Sequence, residues 1–270
     1  MAKKEKEGLT FWDHLEELRW TLLRTIIAML IFTIGAFFFM PYFFDHIVLA
    51  PCDSNFYLYE WMCKINNVLP ILPEFCNDNF HVEIININLA SQFFTHMSTS
   101  FSLAFILTCP YLVFEIWRFI SPALYQAEKT SVRRAFLAGT LMFFLGCFIG
   151  YILVFPLTLR FLAEYQLSET IQNQISLNSY MDNFLTLIFM MGLVFELPLV
   201  SWLLSKLGII KRSFFKKYRR YAIVILLVLS AIITPSGDPF TLMVVFLPLF
   251  ALYEVSSLFV KPDEPVEIEE

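Results

Sequence analysis

Charge is scarce in this sequence. Asp, Glu, Lys and Arg make up 16% of its 270 residues, against about a quarter in a soluble domain. Meanwhile 58% of the chain is hydrophobic and its mean hydropathy is +0.65. That balance excludes an ordinary soluble domain and points to an integral membrane protein with several spans. There is no Gly-rich phosphate loop, no HExxH pair and no cluster of Cys and His, so nucleotide hydrolysis and metal-centred catalysis have nothing to carry them. No cofactor, metal or catalytic residue is expected. No internal repeat and no matched pair of broken spans is visible, as an inverted-repeat transporter would show. The alternating pattern of a membrane barrel is absent too, which leaves helices. No cleavable signal peptide is expected, because the first apolar run follows a long charged start and is too long for one.

What is present is a series of apolar runs. A helix needs about 20 apolar residues to cross roughly 30 Å of hydrocarbon. Six runs qualify or come near: 20–44, 92–117, 133–155, 180–204, 219–234 and 240–259. The expected fold is therefore an all-α polytopic membrane protein of six transmembrane helices over residues 1–260, with spans 5 and 6 short. Residues 261–270, "KPDEPVEIEE", read as a disordered acidic tail. Basic residues set the orientation. Only Lys64 and Arg160 follow spans 1 and 3, whereas every other Lys and Arg, including all seven from Lys206 to Arg220, falls on the opposite side. Both termini are thus expected in the cytoplasm. The outer loop 45–91 carries Cys52, Cys63 and Cys76, which spacing leaves either free or partly disulfide-bonded. His14, His46, His81 and His96 are scattered, as surface or interfacial residues would be.

The carboxylates are more informative. In "LTFWDHLEELRWTLLR", Thr10 and Asp13 fit a capping box, and Glu16 has Arg19 three residues on. Glu17 has no basic residue at i±3 or i±4. It reads either as a solvated carboxylate or as an acceptor for a cation from elsewhere. In "WRFISPALYQAEKTSVRR", Ser121-Pro122 reads as a helix start, and Glu128 again lacks a helical partner, although Arg133 and Arg134 are close in sequence. Trp117, Phe119 and Tyr125 lie nearby. Two such acids beside aromatics suit an arginine-bearing ligand, whose guanidinium can grip a carboxylate with two bonds and stack on a ring. Glu196 in "MMGLVFELPLV" is stranger. A carboxylate in a span costs roughly 3 kcal/mol on insertion scales, and Pro198 behind it frees a carbonyl. The expected arrangement is a hydrated recess; the other is a neutral Glu bonded to another span. Asp238 in "TPSGDP" fits a turn.

"HLEELR" (14–19), "FISPALYQAEK" (119–129), "FELPLV" (195–200) and "TPSGDP" (234–239) together resemble the TatC family, the receptor subunits of the twin-arginine protein translocase. The resemblance runs through nearly the whole chain. It implies a six-span protein of the bacterial cytoplasmic (inner) membrane that binds twin-arginine signal peptides at its cytoplasmic face. It implies export of folded proteins driven by the proton-motive force, with no enzymatic activity. Its signal-peptide site maps onto Glu17, Glu128, Phe119 and Arg19, and its intramembrane glutamate onto Glu196. Single-span TatA/TatB-type subunits, other copies of the chain and the lipid bilayer are the implied partners, with no nucleic acid. Docking of the single-span partners would involve Asp238 and the position four residues on. Many members carry Gln there, and this chain has Leu242. Residues after Arg19 also depart from the family, being Trp20 and Thr21 rather than basic. The alternative function is a proton-coupled secondary transporter using Glu196, and a third is a passive scaffold.

Overall fold

The computed structural model describes residues 11–66, 80–120, 126–168, 173–206 and 208–260. Nine α-helices occur among them: α1 (Phe11–Phe43), α2 (Tyr57–Asn66), α3 (Ser91–Ile120), α4 (Gln126–Ile149), α5 (Phe155–Glu164), α6 (Leu177–Val194), α7 (Leu197–Lys206), α8 (Arg212–Ile233) and α9 (Pro239–Phe259). Among the described residues, five stretches are long and apolar enough to cross a membrane: Leu15–Cys52, Ser91–Ile116, Arg133–Glu164, Leu177–Lys206 and Pro239–Phe259. Helix α8 falls short of this group. Its first turns hold Arg212, Lys216, Lys217, Arg219 and Arg220, so only 221–233 is apolar, about 20 Å of helix.

Two of the expected spans differ in form from a plain helix. The run placed at 133–155 passes from α4 through a π turn at Gly150–Val154 into α5, and so continues to Glu164. The run placed at 180–204 divides into α6 and α7 at Phe195 and Glu196, because Pro198 has no N–H to return to Val194. Local chemistry sets the clear helix starts. Ser176 caps α6 by accepting from the Ser179 N–H at 3.3 Å. Asp238 caps α9 by accepting from the Thr241 N–H at 2.8 Å, with Pro239 in the first turn. The caps expected at Thr10 with Asp13 and at Ser121-Pro122 fall outside the described residues and side chains, as does the tail 261–270.

Helix α3 packs along α1, and α4 packs on α6. The second crossing is close. A Cβ on Gly146 would come 2.6 Å from the Met191 carbonyl oxygen, so only glycine lets α4 lie there. Around that crossing Leu187, Met191, Phe143 and Phe155 are buried. Helices α7 and α8 both pack against α9. By contrast, α1 buries only 6% of its most apolar window, leaving a long apolar flank outward.

The outer loop 45–91 is partly ordered by helix and strand. It contains α2, and also one short strand the apolar pattern does not signal: Ile84–Ile85 pairs in parallel with Ile175–Ser176, a second short strand just before α6. Tyrosine hydroxyls tie the loop down. Tyr59 donates to the carbonyls of Pro51 (2.9 Å) and Pro156 (3.2 Å), Tyr151 to Ile47 (2.9 Å) and Tyr180 to Val48 (2.5 Å). Burial pushes the Tyr59 phenol above its ordinary value, against the pull of the nearby Arg160 guanidinium. Arg160 is only 1% exposed; it pairs with Glu164 at 3.0 Å and lies over the rings of Tyr59 and Phe80. Cys63 is disulfide-bonded, Cys52 is a buried free thiol, and Cys76 lies outside the described residues.

Candidate functional site

The site is built where α1 and α3 run side by side. Two contacts fix their register. At one end His96 stacks on Phe37 and its Nε2 donates to the Phe37 carbonyl at 2.9 Å. At the other, the Arg24 guanidinium meets the Glu115 carboxylate at 3.0 Å. Residue numbers rise on one helix as they fall on the other, so the pair is antiparallel, and the start of α1 lies level with the end of α3.

Glu115 is the residue that local spacing overlooks. It is 2% exposed in the apolar run "LVFEIWRF". Its carboxylate accepts from Arg24 on one oxygen and from the Tyr111 hydroxyl at 3.1 Å on the other, with Arg118 at 3.8 Å. Arg24 also donates to Thr21 Oγ1 at 3.4 Å. A buried carboxylate is costly unless paired and hydrogen-bonded, and this one is both. A signal for it existed: Arg24 and Glu115 are opposite charges inside the first two expected spans, each near the same end.

The expected recognition residues stand just past this ion pair. Glu17 precedes Thr21 and Arg24 by four and seven residues, on the same face of α1 and about 10 Å further along. It is half-buried, whereas Glu16 and Arg19 are exposed. Phe119 follows Glu115 by one turn and is half-buried. Glu128 is on the first turn of α4; its side chain lies outside the described ones. A cavity of ≈ 410 Å³ opens between α3 and α4, with apolar walls from Pro110, Val113, Phe114 and Leu137 and with Arg133 and Arg134 at its edge.

Glu196 lies apart from that cluster, at the break between α6 and α7. Its carboxylate is turned toward α4 rather than outward: a Cβ on Gly139 would come 2.9 Å from Glu196 Oε2 and would also strike Leu199. Its Oε1 is buried with no hydrogen-bond partner among the described residues. No donor or acceptor on another helix reaches that oxygen among the described residues.

Asp238 and Leu242 occupy the start of α9. Asp238 is the cap described above. Burial alone would raise its carboxyl, but hydrogen bonds from Ser236 (2.6 Å) and Thr241 outweigh it and hold the group below its ordinary value. Leu242 is half-buried one turn on. Among the described residues no group of His, Cys, Asp and Glu is placed to hold a metal ion.

Known proteins are similar to this chain over most of its length. The family model for the Sec-independent protein translocase protein (TatC) matches residues 13–248. A protein of that name from Blattabacterium sp. subsp. Periplaneta americana (strain BPLAN) is 34% identical over 255 residues, covering 94% of this chain and 96% of its own. Its counterpart from Aquifex aeolicus (strain VF5) is 34% identical, covering 90% and 91%. A crystal structure of the twin-arginine translocase receptor TatC superposes with a TM-score of 0.69 at 33% identity, over 91% of this chain and 97% of that one. The same receptor crystallised in DDM gives a TM-score of 0.72 at 33% identity, over 92% and 99%. The chain belongs to the TatC family of Sec-independent protein translocase proteins.

Proposed function

We propose that this chain is the core receptor of a twin-arginine translocase. It binds signal peptides carrying two consecutive arginines and organises proton-motive-force-driven export of folded proteins. The observation that carries the proposal is the pairing of half-buried Arg24 with buried Glu115. It fixes α1 against α3 so that half-buried Glu17 and Phe119 stand at one end, where α4 begins with Glu128. Glu17 and Glu128 each take one guanidinium through a forked, charge-assisted contact. Phe119 supplies a ring for stacking or apolar contact, and Arg19 beside Glu17 helps hold the α1 end.

The orientation that goes with this function is six spans with both termini in the cytoplasm, α8 being the short fifth. It is supported by the basic residues gathered at the starts of α1, α4 and α8. The location is the bacterial cytoplasmic membrane. Single-span TatA/TatB-type subunits and further copies of the chain complete the complex, with Asp238 and Leu242 at one contact. Glu196, unpaired at a helix break, hydrates the membrane beside the path of the cargo. A twin-arginine peptide with a photoreactive group next to its arginines should cross-link to the α1 start and to Phe119. Cross-links confined to the 45–91 loop would overturn the proposal.

A further inference from the structure

A second polar site lies where α8 begins and α9 ends. The sequence spaces Arg212, Lys216 and Arg219 at i, i+4 and i+7, on one face of α8. That face looks across a cavity of ≈ 370 Å³ at Tyr253, Glu254, Ser257 and Leu258 of α9. Arg219 is partly spoken for: it pairs with Glu254 at 2.8 Å and lies over the Phe250 ring. The Tyr253 hydroxyl donates to the Phe215 carbonyl at 2.7 Å, and the Ser257 hydroxyl to the Glu254 carbonyl at 2.7 Å. Arg212 and Lys216 have no carboxylate within ion-pair distance among the described residues. The walls thus hold three cations against one carboxylate, with two cations uncompensated. Val255, Leu258 and Phe259 on the same end of α9 face outward and are exposed.

An occupant of this cavity must therefore be anionic at one end and apolar at the other. We infer that the α8–α9 cavity binds the phosphodiester headgroup of an anionic phospholipid, with its acyl chains along Val255 and Leu258. Arg212 offers two parallel donors to phosphate oxygens and Lys216 a point charge. Basic pockets between helices at the cytoplasmic membrane surface bind such headgroups. The site rests on the orientation proposed above for its leaflet, but not for its chemistry. A lipid bound there braces the pair of helices whose apolar length is short on the α8 side, and anchors the basic end of α8 at the membrane surface.

The test uses the purified full chain in neutral detergent, titrated with phosphatidylglycerol or phosphatidylcholine and followed by native mass spectrometry. Wild type should retain phosphatidylglycerol preferentially. Arg212→Gln with Lys216→Gln should weaken that retention more than about tenfold, since each headgroup contact contributes about a factor of five. Lys217→Gln with Arg220→Gln removes equal charge outside the cavity and should leave it within about twofold. Equal losses in both pairs, or none in the first, would overturn the site. Inorganic phosphate at millimolar concentration should not displace the lipid; displacement would make a free anion the occupant instead. Ending the chain at Val260 should change retention little. A large gain would mean that the acidic segment 261–270 fills the cavity, which also contradicts the inference. Signal-peptide binding is not read in any arm, so failure here leaves the receptor proposal standing.

Discussion

Glu115 matters because its carboxylate, 2% exposed, is costly alone, whereas Arg24 keeps 34% of its side chain exposed. Breaking a buried pair by removing one partner costs about 3–5 kcal/mol, while replacing both with apolar residues is often neutral. Arg24→Leu, which leaves the buried Glu115 carboxylate without its main partner, should therefore destabilise the chain in detergent by several kcal/mol, and Arg24→Leu with Glu115→Leu should recover most of it. If the double variant unfolds as readily as the single, the pair is not the contact that positions α1. Glu196 acts differently. Its Oε1 has no partner to lose among the described residues, so Glu196→Leu should leave stability and signal-peptide binding near wild type while slowing transport of folded cargo. Wild-type transport rates across several cargos would remove its proposed role. Glu17 and Glu128 stand out as candidates in the sequence because their lack of a helical partner is a local property. The Glu115 arrangement could not be found that way. Its main partner is 91 residues away, and Arg118 three residues on makes the carboxylate look locally satisfied.

Among the helices, apolar length and proline positions marked the long apolar helices better than they marked each helix's form. Pro198 marked the α6–α7 break, but no residue in the 150–154 stretch announces the π turn that carries α4 into α5. The two-residue strands at Ile84–Ile85 and Ile175–Ser176 were invisible because their pairing is set by the tertiary fold, not by alternation. At α9 the local code was complete. Asp238→Ala removes the cap and should cost about 1 kcal/mol. Because its folded carboxyl titrates low, the carboxylate's contribution is present above the unfolded value of about 3.9. It is lost as pH falls through the folded value. Stability of wild type should thus converge on that of Asp238→Ala in acid. A gap that stays constant down to the most acidic conditions would show that the cap does not act through its charge. At the α4–α7 contact, Gly139→Ala drives a methyl into Leu199 and the Glu196 carboxylate, and overpacking of this kind costs about 1–3 kcal/mol. Retention of wild-type stability would mean that the helices are not held this close.

Among the described residues, one end gathers the candidate recognition residues and most of the basic charge. Helices α1, α4 and α8 start there and α3, α7 and α9 finish there, while the tyrosine-bonded loop closes the opposite end. Impermeant thiol reagents applied to intact cells should modify single cysteines placed within 81–90 and 235–237, in a background without native cysteines. They should spare Arg19 and Arg133 positions; labelling there would reverse the orientation. The central claim, recognition of paired arginines by Glu17 and Glu128, is tested most directly by equilibrium binding of a twin-arginine peptide to the purified protein. Glu17→Ala and Glu128→Ala should each weaken binding by about 2 kcal/mol or more, as when one partner of a desolvated charge pair is removed. A twin-lysine peptide should also bind the wild type less well. Wild-type affinity in both alanine variants would contradict the account.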